Sequence, residues 1–135
     1  ILTSELYWLA LTVFMTGLFW VPYILNWIVE KGIVDAAWNP IEFDHSNPKA
    51  QWAARMLIAH QNAVENLAIF APLVFLLHLA KISTSATVTA CMVYFFARLA
   101  HYIAFTLAIP LLRVVTFIVG FGAQFVLAMA LFKAI

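Results

Sequence analysis

Apolar residues along this chain fall into four long runs separated by unequal polar breaks. The runs cover about residues 6–29, 51–79, 85–107 and 111–132. Each is long enough to cross a bilayer as a helix, which takes about 20 residues. None alternates with the period of two that a membrane barrel strand requires. The pattern therefore predicts an all-α integral membrane protein, a bundle of four transmembrane helices. The first run is too long for a cleavable signal peptide and no small-residue cleavage site follows it. The stretch from Glu30 to Ala50 is the sizeable polar segment, with Pro40 and Pro48. The second connection runs from Lys81 to Thr84, where Ser83 or Ser85 is expected to cap the third helix. The third is a tight corner at Pro110. Short second and third connections make spans two, three and four antiparallel neighbours. Pro22 and Pro72 lie inside spans one and two, where kinks are tolerable if neighbouring groups satisfy the freed carbonyls.

Composition narrows the class further. The 135 residues are one domain's worth of chain, 66% apolar and only 10% charged; ordinary globular proteins are roughly 45–50% apolar and about 25% charged. Thirteen charges cannot cover a soluble surface. A soluble monomer, a disordered chain and a disulfide scaffold are excluded. A net charge of +1 excludes a nucleic-acid binder that works through a basic field. Lys31, Lys49, Arg55 and Arg113 fall on the side of the first loop, against Lys81 and Lys133 on the other. The positive-inside rule thus places the first loop in the cytoplasm of a multi-pass protein. A bacterial inner membrane is the expected location.

Charged groups inside a span are expensive and are functional candidates by default. Here they are Arg55, Glu65, Arg98 and Arg113, with His60, Asn62 and His101 nearby. Arg55, Ile58, Asn62 and Glu65 recur at three- and four-residue steps on span two. Tyr94, Arg98, His101 and Phe105 do the same on span three. At about 1.5 Å per residue, Glu65 lies about 21 Å from Gln51, and Arg98 about 15 Å from Ala108. Both distances run from one membrane side, so Glu65 and Arg98 are expected to meet at similar depth. Arg113 opens span four on that side. The distal halves, 68–77 and 87–96, carry no charge. Three arginines against one glutamate leave an excess of positive charge, which suits an anionic ligand such as a carboxylate, phosphate or thiolate. A matched Glu–Arg pair that ties two helices together is the plainer alternative.

Other residues read as structure. Cys91 is expected to be a small buried hydrophobe. His78 and Lys81 read as an interfacial pair. Trp20, Trp27, Trp38 and Trp52 fit an aromatic belt. Gly17, Gly120 and Gly122 read as close helix contacts. Asp35, Glu42, Asp44 and His45 lack a diagnostic metal-ligand spacing, and no metal site is expected.

The stretch from Arg55 through Asn66, Arg-Met-Leu-Ile-Ala-His-Gln-Asn-Ala-Val-Glu-Asn, followed by Phe70, resembles the second-helix signature of the MAPEG superfamily. These are membrane-associated proteins in eicosanoid and glutathione metabolism. Arg98-Leu99-Ala100-His101-Tyr102, with Pro110 and Arg113 beyond it, resembles the family's third helix and following corner. Chain length, span number and motif positions extend the likeness to nearly the whole chain, and its shortness is most similar to the prokaryotic branch. The resemblance implies a homotrimer with glutathione bound between protomers as cosubstrate. It implies that Asn62 and Glu65 hold the peptide, that Arg98 supports Glu65, and that Arg113 stabilises the thiolate as the catalytic group. Arg55 and His101 join the expected glutathione-binding set. Two departures stand out: Ile58 lies where many catalytic members carry Arg, and Phe105 where many carry Tyr.

The implied activity is transfer of glutathione to lipophilic electrophiles, or a related peroxidase. The implied partners are a second and third copy of the chain, a lipophilic substrate and membrane lipid, with no nucleic acid. Two alternatives stand beside it. One is a non-catalytic lipid- or ligand-binding member of the same family, favoured by Ile58 and Phe105. The other is a small four-span transporter built around a membrane carboxylate, which three arginines beside Glu65 fit poorly.

Overall fold

The computed structural model describes residues 2–34 and 50–134. Asp35, Trp38, Glu42, Asp44, His45 and Lys49 lie outside the described residues. Among those described, all regular structure is helical, and four stretches are long and apolar enough to cross a membrane: Ser4–Glu30, Gln51–Leu79, Ser85–Thr106 and Pro110–Phe132. The first is two helices, α1 (Ser4–Leu18) and α2 (Val21–Lys31). The others are α3 (Gln51–Leu79), α4 (Ser85–Thr106) and α5 (Pro110–Phe132). Four-helix membrane architecture is thus established.

The break between α1 and α2 follows from Pro22, which has no N–H for the preceding turn and favours the first turn of a new helix. Freed backbone groups in a membrane must find partners inside the protein. Here the Tyr102 hydroxyl donates to the Phe19 carbonyl at 2.8 Å, and the two rings stack with centroids 3.7 Å apart. Replacing Tyr102 by phenylalanine keeps the stack and removes the donor. We expect a loss of about 1–3 kcal/mol, read as a lowered thermal midpoint in detergent; an unchanged midpoint would show that the bond is dispensable. Pro72, by contrast, sits within α3 without interrupting it.

The cap of α4 differs from expectation. Thr84, not a serine, closes the first turn: its hydroxyl accepts from the Thr87 N–H, and the Thr87 hydroxyl accepts from the Thr84 N–H. The reciprocal box satisfies two amides with one pair of hydroxyls.

Helices α4 and α5 make the most extensive contact, and α1 and α3 pack against α4. Phe70, Val74 and Leu77 of α3 meet Cys91 and Tyr94 of α4 and Leu127 of α5. Phe70 stacks on Tyr94 with centroids 3.8 Å apart. Cys91 is buried as read from sequence. Packing of this kind holds membrane helices together where lipid is as apolar as the protein. Outward positions carry large apolar side chains such as Phe14, Val29, Leu79 and Leu111, a surface suited to lipid. Trp20 and Trp52 are exposed, as an interfacial belt requires. Trp27 is buried against the bundle and does not belong to that belt. Of the three glycines read as helix contacts, only Gly120 is one. A Cβ there would lie 3.6 Å from Arg98 Cδ and 3.8 Å from Ala97 Cβ, while Gly17 and Gly122 face open space.

Candidate functional site

The polar side chains of α3, α4 and α5 converge halfway along the bundle. Arg98 is almost fully buried, and its Nη2 donates to Asn62 Oδ1 at 2.6 Å. The Asn66 amide donates to the Asn62 carbonyl at 2.9 Å and to Asn62 Oδ1 at 3.3 Å. Gln124 of α5 closes the set by donating to the Asn66 carbonyl at 3.1 Å. The Arg98 stem lies along α5 beside Gly120, where a Cβ would stand 3.6 Å from Arg98 Cδ, an ordinary contact distance. Gln124 does not stand out in sequence as a site residue, and Asn66 does so only as the last residue of the family-like stretch of span two. The signal was present: Gly120, Ala123, Gln124 and Leu127 mark the buried face of α5 at helical spacing, and Gln124 is the polar member.

Toward the Pro110 corner the site becomes more cationic. His101 is buried one turn from Arg98, its ring tilted against Phe105 and Phe117. Arg98 Nε and His101 Nδ1 are buried and make no hydrogen bond among the described residues. The Arg113 guanidinium lies over the Phe105 ring, 5.2 Å from its centroid. A cation above an aromatic face is held by the ring quadrupole. Arg55 turns a different way: its Nε donates to the Thr106 carbonyl at 2.8 Å, joining the start of α3 to the end of α4. A guanidinium there also meets the negative end of the α4 dipole.

Glu65 does not join this group, and the expected Glu65–Arg98 pair is absent. Asn62 takes the Arg98 guanidinium, and Glu65 is exposed on the outer side of α3. Three residues advance a helix by about 300°, which leaves Glu65 about 60° round from Asn62. That turn carries it into a second cleft of about 600 Å³, lined by Tyr23, Leu57, His60, Gln61, Val64 and Glu65. Tyr23 and His60 share a hydrogen bond of 3.2 Å there. Ile58 is also exposed on α3. The Tyr102 hydroxyl is committed to the Phe19 carbonyl.

The chain matches the family model described as MAPEG family over residues 6–133, nearly its whole length. It belongs to the MAPEG family. Searches of the curated proteins and of the solved structures return no match. Membership makes the chain a multi-pass membrane protein of the superfamily concerned with eicosanoids and glutathione. In MAPEG terms, the structure unites Asn62, Arg98 and His101 with the Arg113 end of the bundle, and sets Glu65 apart on an outer face.

Proposed function

We propose that this MAPEG protein transfers glutathione to lipophilic electrophiles. The observation that carries the reading is the buried Arg98, hydrogen-bonded through Nη2 but unpartnered at Nε, with the orphan His101 Nδ1 one turn away. Orphan groups in a cationic cluster fit an anionic, hydrogen-bonding ligand. A tripeptide with two carboxylates and a thiol has that chemistry.

The nucleophile is the sulfur of glutathione. A thiol with a pKa near 8.5 is mostly protonated at neutral pH, so a nearby cation must favour the thiolate. Arg113 is assigned this role. The thiol proton leaves to solvent, the sulfur attacks the electrophilic carbon, and a C–S bond replaces the bond to the leaving group. Apolar substrates arrive laterally from the bilayer. Glu65 opens to an outer cleft, away from the Asn62–Arg98 pair, and this supports a homotrimer whose neighbouring protomer completes the ligand contacts at that face.

Phe105 favours a second reading, a non-catalytic ligand-binding protein. Its ring covers one face of the Arg113 guanidinium and reduces what that cation offers a thiolate.

A glutathione titration followed by thermal unfolding tests the binding step. Ligand that binds only the folded state adds about 2.7 kcal/mol at one hundred times its dissociation constant. The expected result is a saturable upward shift that weakens in Glu65→Gln. No shift at millimolar glutathione would remove the transferase reading.

A further inference from the structure

A second ionisable cluster lies at the opposite end of the bundle from the arginines, where α1 begins and α3 turns into α4. Glu5 sits in the first turn of α1, yet it is 95% removed from solvent, with 5% relative exposure. Its Oε1 accepts a hydrogen bond from the Ser83 hydroxyl at 3.1 Å. No cation pairs with it among the described residues. A helix N-terminus favours a carboxylate, but an exposed one suffices for that. Burying an ionised carboxylate is expensive unless it is paired. A carboxylate offers about four acceptor positions, and the Ser83 hydroxyl uses one.

The carboxylate borders a cavity of about 260 Å³ that also takes in Thr3, His78, Lys81 and Ser83. Lys81 is held beside it by the local backbone: φ is 58°, and the Ile82 N–H returns to the Leu77 carbonyl at 3.0 Å. This is the left-handed closure usually given to glycine. The cavity thus sets a buried carboxyl group below two exposed side chains, His78 and Lys81. It is smaller than the roughly 300–1,000 Å³ of pockets that enclose whole drug-sized ligands, so it takes a headgroup. Starting from the same turn of α1, an apolar groove runs along Leu2, Leu6, Leu9, Val13 and Phe14, with Phe75 opposite.

We propose that this cavity binds the headgroup of a phosphoethanolamine lipid. The primary ammonium donates to Glu5 in the buried half of the cavity. The phosphate meets Lys81 and His78 at the lip, and an acyl chain follows the apolar groove. A primary ammonium brings three N–H donors to the open acceptor positions, whereas a quaternary ammonium brings none. A headgroup that ends in a glycerol leaves Glu5 without a cation. The site is remote from the arginine pocket and does not depend on the thiol chemistry assigned there.

The test is thermal stability of the delipidated full chain in neutral detergent, titrated with phosphatidylethanolamine, phosphatidylcholine, phosphatidylglycerol and soluble glycerophosphoethanolamine. Phosphatidylethanolamine is expected to raise Tm saturably by several degrees, with little effect from the other three. Glu5→Gln is expected to abolish the rise. Lys81→Met, at an exposed position that does not threaten folding, is expected to reduce it by more than half. An equal rise with phosphatidylcholine or phosphatidylglycerol overturns the headgroup assignment, and an equal rise with the soluble headgroup overturns the lipid assignment. A rise unchanged in Lys81→Met overturns the site even where Glu5→Gln fails to fold.

Discussion

Replacing Arg113 by alanine is expected to lower turnover by about 100- to 1,000-fold, the range seen when one preorganised charge-stabilising group is removed from an active site. The guanidinium does not hold the peptide in this reading, so the glutathione-induced rise in thermal stability should largely survive. The loss therefore falls on kcat more than on KM. Arg113→Lys supplies a point charge without the planar fork and should recover part of the rate. The measurement is conjugation of glutathione to a chloronitroaromatic electrophile in detergent or liposomes. Unchanged turnover in Arg113→Ala would remove Arg113 from the chemistry. Lost turnover together with a lost thermal shift would move it to ligand binding.

Changing Asn62 to leucine should destabilise the fold by about 3–5 kcal/mol, because the buried Arg98 guanidinium loses its acceptor. Hydrogen bonds to charged groups contribute about 1.5–3 kcal/mol, and the penalty of an orphaned buried charge lies on top. The same substitution removes an acceptor from Asn66 and loosens its link to Gln124. Removing both partners together is milder than removing one. Asn62→Leu with Arg98→Leu is thus expected to recover part of the lost stability while leaving glutathione binding abolished. Denaturation of the four proteins in one detergent checks this. A double variant no more stable than Asn62→Leu would show that the two side chains are not energetically coupled.

The four spans are legible in the sequence because a membrane helix declares itself by length and apolarity alone. The gathering of polar residues in one half of spans two and three is legible too, since helical rise gives approximate depth. Rotation about the helix axis is where reading by periodicity fails. Asn62 and Glu65 count as one face at a three-residue step, yet the 60° between them decides which one meets Arg98. Gln124 went unread because it carries no charge, although its amide bridges α5 to α3. Glu5 gives no signal in sequence, since a carboxylate in a first helical turn has an ordinary electrostatic reason to be there; its burial belongs to the folded chain.

The hydroxyl that Tyr102 lends to the Phe19 carbonyl crosses 83 positions of sequence. During synthesis the broken first span emerges long before that hydroxyl exists. Until the third span arrives, the Phe19 carbonyl lacks that donor. The packing around the break in the first span is completed only by a residue far downstream: the span made first is finished by the span made third.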